Sequence, residues 1–143
     1  MGEGRNALLL ARHGFAVTGI EKSPAAIAKA RERARELGLP LTVIEADLEN
    51  YPLPVAQFDV VLCFYYLQRS FFPALERALK PGGALVMETC TTDQLQLPGG
   101  PRHPDYLLQP NELYRAFRHL RVAYYREVTK ETRAVASLLA YRI

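Results

Sequence analysis

The sequence predicts an α/β fold with helices packed on a largely parallel sheet, and three observations support this prediction. Short apolar runs of strand length alternate with segments of helical periodicity over most of the chain. Residues 59–64 are almost continuously apolar, as expected for a strand covered on both faces. The glycine pair Gly2 and Gly4 stands directly before a helical segment, where α/β folds place ligand-binding turns. The 143 residues suffice for one sizeable core, so residues 1–143 are expected to form a single domain.

The helices are predicted from apolar spacing and from residues that begin or end a helix. Ser23 is a typical N-cap, Pro24 suits the first helical position, and Gly38 ends the apolar repeat between them. Later in the chain, the sequence Lys-Pro-Gly-Gly at 80–83 stops another helical repeat. The helices are expected at residues 6–13, 24–37, 72–79 and 113–120.

The strands are predicted from short apolar runs bounded by turn residues. Two β-rich runs near the C-terminus, 121–128 and 133–143, should form an antiparallel hairpin. Residues 90–109 lose all periodicity and are rich in proline and glycine, so they are predicted to form a long ordered loop or lid. The remaining strands are expected at residues 16–20, 41–45, 59–64 and 84–88.

Charge and cysteine content exclude several classes of protein. The net charge of +3 arises from 18 basic and 15 acidic residues that are interspersed along the chain, so no nucleic-acid partner is expected. Cys63 and Cys90 are too few for a disulfide framework and lie in no metal-ligand spacing, so no metal is expected and a reducing cytoplasm fits best. No apolar run approaches the ~20 residues that cross a bilayer, so no membrane association is expected.

Two carboxylates follow predicted strands at the edge where open α/β sheets bind ligands. Glu21 lies 17 positions after Gly4, where a carboxylate can accept hydrogen bonds from both hydroxyls of a ribose. Asp47 follows the next strand and can accept from an exocyclic amine such as that of adenine. Together they outline an adenosine site. The sequence GEGRNA also satisfies the dinucleotide fingerprint with alanine in the last place, so on that motif alone a nicotinamide cofactor fits as well.

The order of several short motifs resembles the class I S-adenosylmethionine-dependent methyltransferases across essentially the whole chain. These motifs are GEGRN, VTGIEKSP, EADLENYPLP, FDVVLCFYYL and LKPGGAL. The Lys-Pro-Gly-Gly turn discriminates best, because dinucleotide-binding dehydrogenases have no reason to carry it. Within the superfamily, the loop GGPRHPDYLLQPNEL is similar to that of the tellurite-resistance type of small-molecule methyltransferase.

The resemblance implies a three-layer Rossmann-like sheet, mostly parallel, and a role for individual residues. Gly2 and Gly4 match the last glycines of the cofactor loop, Glu21 the ribose ligand, and Asp47 the acceptor of the adenine amine. Leu48 would offer its backbone N–H to the adenine ring. The residues implied in S-adenosylmethionine binding are Gly2, Gly4, Ile20, Glu21, Lys22, Asp47, Leu48, Cys63 and Phe64.

The chain departs from the family pattern before the glycine pair. The family has there its first, central strand, with an acidic residue and a further glycine, and this strand is absent. Its absence leaves the strands at 16–20 and 59–64 without their shared neighbour, at a cost of about 1–3 kcal/mol for each buried backbone group without a partner. We therefore expect either that the natural product starts upstream or that the chain fills the gap in another way. An incomplete sheet also favours a homo-oligomer.

Methyl transfer to a small-molecule acceptor is the function that the resemblance implies. The reaction is an in-line displacement that needs alignment and exclusion of water more than a general base, so no catalytic residue is nominated. For Tyr66 core packing is the alternative role, and for His103 a hydrogen bond within the loop. The alternative function is a non-catalytic, methyltransferase-like module that binds a partner or a weak ligand. The residues nominated for the acceptor pocket are Tyr65, Tyr66, Arg69, Glu88, Thr89, His103 and Tyr106.

Overall fold

A computed structural model describes residues 1–143. Its backbone divides into two compact units, Met1–Pro52 and Leu53–Ile143, named here the N-terminal unit and the C-terminal unit. The expectation of a single domain stays a prediction. None of the helices combines the length and the apolar content that crossing a bilayer requires.

The N-terminal unit contains two helices and a pair of parallel strands. Its elements are α1 (Arg5–Arg12), β1 (Thr18–Glu21), α2 (Pro24–Glu36) and β2 (Thr42–Glu45). The strands pair in parallel, with Glu21 opposite Glu45 in the register. Because α2 connects two parallel strands, β1, α2 and β2 form a βαβ unit whose strands end at the same edge.

Helix α2 forms where its end signals predict it. The Ser23 side chain accepts a hydrogen bond from the Ala26 N–H at 3.3 Å, and Pro24 is the first helical residue. The face that the helix buries consists of Ile27, Ala30 and Ala34. The small side chains on this face allow the backbone of the glycine turn before α1 to lie close to α2.

The C-terminal unit is built on a four-stranded sheet in the order β3-β4-β6-β5. β3 and β4 are parallel and are connected through α3, whereas β6 runs antiparallel to both β4 and β5. The predicted C-terminal hairpin is therefore present, with β6 inside the sheet. The elements are β3 (Phe58–Phe64), α3 (Phe72–Ala78), β4 (Leu79–Cys90), α4 (Glu112–Phe117), β5 (Arg121–Thr129) and β6 (Ala134–Tyr141), and a 3₁₀ helix at Arg69–Phe71 precedes α3.

The Lys-Pro-Gly-Gly segment differs from the simple turn that the sequence predicts. Helix α3 ends at Ala78, and Leu79 already pairs with Phe58 of β3. The next pair joins Ala84 to Val60, so residues 80–83 bulge out of the ladder opposite Asp59 alone. Lys80 and Asp59 form an ion pair at 2.8 Å across this bulge.

The apolar sequence of β3 predicts a strand that is covered on both faces. In the structure this strand is not covered on both faces. Only Cys63 of this strand is buried, and Val60, Val61 and Leu62 are partly exposed. The reason is its place in the sheet, because β3 pairs with β4 alone. In the N-terminal unit, β1 likewise pairs with β2 alone.

The long segment between β4 and α4 is an ordered loop, as predicted, with 3₁₀ helices at Thr92–Gln96 and Pro104–Tyr106. Gln94 is 1% exposed and fixes the first half of the loop. Its amide nitrogen donates to Gly99 O and Thr132 O, and its amide oxygen accepts from the Ala134 N–H at 2.9 Å. The loop therefore begins as a closely packed part of the C-terminal unit.

Candidate functional site

The glycine turn before α1 has the geometry that a ligand-binding turn needs. Gly2 and Gly4 have φ of +59° and +86°, values that favour glycine. A Cβ on Gly4 would lie 3.1 Å from the Ala30 Cβ of α2, whereas a Cβ on Gly2 would meet nothing within 4 Å. No side chain caps α1, so the N–H groups of its first turn are left for another acceptor.

Glu21 ends β1, and its carboxylate already accepts four hydrogen bonds within the N-terminal unit. Oε1 accepts from the backbone N–H groups of Lys22 and Ser23, each at 3.0 Å. Oε2 accepts from the Gly2 N–H at 2.8 Å and from the Met1 ammonium at 3.1 Å. Both oxygens thus bind the turns that surround the predicted adenosine site.

These contacts control the ionisation of Glu21. Burial raises the pKa of the carboxyl, but hydrogen bonds from Ser23, Gly2 and the Met1 ammonium outweigh it and lower the pKa to about 2. Glu21 is therefore a fully ionised acceptor at neutral pH. The carboxylate is suited to bind ribose hydroxyls, provided that they replace donors it now has.

Asp47 lies two residues beyond the end of β2, close to the end of β1. Its Oδ1 accepts from the Glu49 N–H at 3.1 Å, and its Oδ2 lies 3.4 Å from the Lys22 Nζ. The parallel register and the contact between Lys22 and Asp47 bring these residues to one edge of the strand pair, and their role in binding adenosine stays a prediction. Leu48 is partly exposed next to Asp47, and Ile20 is partly buried in β1.

Tyr65 and Glu88 meet at the carboxyl end of β3 in the C-terminal unit. The Tyr65 hydroxyl donates to Glu88 Oε1 at 2.7 Å, and the Tyr65 N–H donates to the Glu88 carbonyl. Arg133 donates to the Tyr65 hydroxyl at 2.8 Å, and the Ser137 hydroxyl donates to Glu88 Oε2 at 2.7 Å. We name these four residues, Tyr65, Glu88, Arg133 and Ser137, the Tyr65 cluster.

The backbone of Tyr65 is strained at this position. Its φ is +55°, which is uncommon for a residue with a large side chain. Burial and the hydrogen bond to Glu88 raise the pKa of the Tyr65 phenol, so it stays a proton donor at neutral pH. The conformation aims the ring at Glu88 and Arg133, at the cost of backbone strain.

Sequence reasoning missed Arg133 and Ser137. Arg133 directly precedes β6 and Ser137 lies on it, and only the pairing of Ser137 with Glu88 shows that this strand meets the predicted site. Since β6 follows β5 in the sequence and yet pairs with β4, the contact depends on strand order, which residue spacing does not reveal.

The other residues predicted at the end of β3 differ in their roles. Cys63 is buried, and burial raises the pKa of its thiol to about 11, so it is a small apolar side chain and not a nucleophile. The Tyr66 hydroxyl donates to Gln68, and its ring packs edge-on against Phe71 at 6.2 Å. Phe64 pairs with Glu88 in the sheet and is partly exposed.

Arg69 links the loop to α4. Its guanidinium binds both carboxylate oxygens of Glu112 and donates to the carbonyls of Asp105 and Leu107 at 3.1 and 2.9 Å. The hydrogen bond to Glu112 raises the pKa of Arg69. Burial raises the pKa of the Glu112 carboxyl, but hydrogen bonds from Arg69 and the Gln109 N–H, together with the charges of Arg69 and Arg115, outweigh burial and lower the pKa. Arg69 thus holds the segment that carries His103 and Tyr106.

Three residues nominated for the acceptor pocket lie apart from the Tyr65 cluster. Thr89 is 3% exposed and follows Glu88 on β4, so its side chain points to the opposite face of the sheet. His103 Nδ1 accepts from the Asp105 N–H at 3.3 Å and caps a 3₁₀ helix, which is the alternative role expected for it. Tyr106 is largely exposed, with its ring centroid 5.7 Å from that of His103.

Comparison with known proteins identifies a family that matches more than half of this chain. Residues 1–83 match the methyltransferase domain family. Demethylmenaquinone methyltransferase of Tropheryma whipplei (strain Twist) is 35% identical over 92 residues, which cover 60% of this chain and 37% of that protein. The chain thus spans well under half the length of the curated relatives it matches.

Solved structures match nearly the whole chain. TehB from Haemophilus influenzae superposes with a TM-score of 0.82 at 20% identity, over 99% of this chain and 55% of that one. Geranyl diphosphate C-methyltransferase from Streptomyces coelicolor A3(2), in complex with Mg²⁺, geranyl diphosphate and S-adenosyl-L-homocysteine, gives 0.75 at 17% identity, over 99% and 68%. At these identities the likeness concerns the fold, and the predicted α/β, Rossmann-like fold is confirmed.

Proposed function

This chain belongs to the methyltransferase domain family of class I S-adenosylmethionine-dependent enzymes, and we propose that it transfers a methyl group from S-adenosylmethionine to a small-molecule acceptor. One observation supports the proposal above the others. Glu21 and Asp47 lie at the carboxyl ends of two paired parallel strands, beside a glycine turn that opens α1. The relative that acts on demethylmenaquinone supports a small-molecule acceptor by analogy.

The residues of the N-terminal unit fit the chemical groups of the cofactor. The uncapped first turn of α1 offers N–H donors to a carboxylate, and the open space at Gly2 admits a ligand close to the backbone. The ionised Glu21 suits two ribose hydroxyls, and Asp47 suits the amine of adenine. Ile20, Lys22 and Leu48 complete the proposed adenosine site.

When bound, S-adenosylmethionine supplies a methyl group activated by a positively charged sulfur. The chain has two tasks: to hold the cofactor by its carboxylate, ribose and adenine, and to align an acceptor atom for in-line attack. We propose that Tyr65 and Glu88 orient the acceptor through the hydroxyl and carboxylate of the Tyr65 cluster. Cys63 and Phe64 stay proposals for cofactor binding, and Tyr66, Arg69, Thr89, His103 and Tyr106 for the acceptor.

Two further points concern the cellular compartment and the alternative function. Both cysteines are free, which supports a reducing compartment, and we propose the cytoplasm. The family membership does not favour the alternative of a non-catalytic module.

Calorimetric titration of the chain with S-adenosylhomocysteine tests the cofactor site. Glu21→Ala should weaken binding by about tenfold or more, because two hydrogen bonds to a charged group are lost. Asp47→Ala should weaken it less, since this carboxylate is more exposed and binds one amine.

Glu45→Ala is the matched control, because Glu45 lies opposite Glu21 in the register and has no hydrogen-bond partner at the site. The Glu45→Ala variant should bind S-adenosylhomocysteine with the same affinity as the unchanged chain. The thermal midpoint of each variant without ligand separates a lost contact from a lost fold. Absence of heat with the unchanged chain, or equal losses in Glu21→Ala and Glu45→Ala, would contradict the proposal.

A further inference from the structure

Arg133 is an arginine held in place without a carboxylate partner. Its guanidinium stacks on the Tyr65 ring at 5.0 Å from the centroid, and one N–H donates to the Tyr65 hydroxyl. No ion pair within 4.0 Å joins it to an acidic side chain. Its charge and its remaining N–H groups therefore face solvent, in a position that Tyr65 determines.

The neighbouring carboxylate of Glu88 forms no direct ion pair with this guanidinium. The Tyr65 hydroxyl bridges the two groups, because it accepts from Arg133 and donates to Glu88 Oε1, while Ser137 donates to Glu88 Oε2. Both hydrogen bonds stabilise Glu88 where it stands, as a support for Tyr65. The guanidinium is thus oriented by a chain of contacts that begins at β4 and β6.

The turn between β5 and β6 fixes the other end of the same side chain. Lys130 and Arg133 exchange backbone hydrogen bonds, with the Lys130 N–H donating to the Arg133 carbonyl at 2.8 Å. Arg133 is the last residue of this turn before β6 begins at Ala134. Backbone and guanidinium are therefore both constrained, so binding an anion costs little additional side-chain entropy.

We propose that Arg133 is the anchor for an anionic oxygen group, a carboxylate or a phosphate, on the methyl acceptor. Two parallel N–H groups of a guanidinium match the two oxygens of either group. This assignment rests on the proposed function for the identity of its ligand as the acceptor, whereas the anion site itself rests on the geometry of the Tyr65 cluster.

The site is tested by NMR titration of arginine Nε–Hε resonances in the whole chain, at constant ionic strength. Benzoate serves as the carboxylate probe and inorganic phosphate as the phosphate probe. Arg133→Lys identifies the resonance, because it removes that signal and keeps the charge. The Arg133 resonance should shift and saturate with one or both probes, and the probe that saturates at the lower concentration identifies the group.

Arg126→Gln is the matched control, because Arg126 also stacks on a tyrosine of the same hairpin, Tyr124, at 5.7 Å. It should leave the dissociation constant unchanged, whereas Arg133→Gln should raise it about tenfold or more, as measured by backbone amide shifts around Glu88. The dissociation constant of Arg133→Lys should fall between those of Arg126→Gln and Arg133→Gln. A lysine keeps the positive charge but lacks the two parallel N–H groups of a guanidinium.

Two results would overturn the anchor. One is a titration that stays linear with both probes in the unchanged chain, and the other is an equal response of Arg126 and Arg133. Neither depends on the stability of a variant. Saturable anion binding in a chain that does not bind S-adenosylhomocysteine would overturn the proposed function and keep the anion site.

Discussion

Glu21 links the proposed cofactor site to the stability of the fold. Its pKa in the folded chain is about 2, below the ordinary value of 4.5, so the ionised form stabilises the native state. This contribution is complete above pH 4.5 and is lost as the pH falls toward 2. Because solvent screens this partly exposed carboxylate, we expect the free energy of unfolding to drop by about 2 kcal/mol over this window, less than the full shift implies.

Urea denaturation at several pH values from about 6 down to about 2.5 measures this effect. Glu21→Gln keeps an oxygen acceptor but cannot ionise, so its unfolding free energy should be lower at pH 6 and should change less with acid. Glu45→Gln should follow the unchanged chain. A pH profile that is the same in Glu21→Gln and in the unchanged chain would contradict the stabilising role.

At the residue scale, the sequence predicted the positions of Glu21 and Asp47, because both depend on strand ends alone. It did not predict that backbone N–H groups fill the Glu21 carboxylate, since those contacts depend on the local path of two turns. Arg133 was missed for another reason. Its role arises from the approach of two strands that are distant in sequence.

Two separate sets of contacts hold the loop after β4, one for each half of the loop. Gln94 fixes the first half from inside, and Arg69 holds the segment near Leu107 through carbonyl contacts and Glu112. We expect Arg69→Ala to increase hydrogen exchange of residues 103–109 by about tenfold, because three contacts are lost. Exchange in residues 92–97 should stay unchanged.

Gln94→Met serves as the control, and we expect it to produce the opposite pattern of hydrogen exchange from Arg69→Ala. It removes the buried amide at similar volume, so residues 92–100 should exchange faster while residues 103–109 keep their rates. Faster exchange of the whole loop in both variants would show one cooperative segment. The separate anchoring of the two halves by Gln94 and Arg69 would then be wrong.

At the element scale, end signals were more reliable than apolarity. Ser23 and Pro24 predicted the start of α2 because a cap acts within one turn. The apolar run of β3 predicted burial on both faces, but exposure depends on strand order, which places β3 at an edge. The bulge at 80–83 likewise reflects the pairing of Leu79 with Phe58, and no turn motif specifies that pair.

The apolar core is distributed unequally over the molecule. The buried apolar side chains of the N-terminal unit are Ala7, Leu8, Ala11, Ile27, Ala30 and Ala34, of which most are alanines. The C-terminal unit buries the large side chains, with Phe117, Leu85, Met87 and Leu138 at most 1% exposed. A 52-residue unit with so small a core is marginal by itself, since domains of about 60 residues bury only about 60% of the surface that the unfolded chain exposes.

We therefore expect the chain to unfold as one cooperative unit. Scanning calorimetry should give a single transition whose enthalpy is about 100 kcal/mol near 60 °C, the value for all 143 residues. The calorimetric and van't Hoff enthalpies should agree, and saturating S-adenosylhomocysteine should raise the one midpoint. Two transitions, or an enthalpy of about two thirds of this value, would mean that the C-terminal unit folds alone and that the prediction of one domain is wrong. A single transition would mean that the alanine-rich N-terminal unit depends on the larger core for its stability, and that every ligand bound by Glu21 stabilises both.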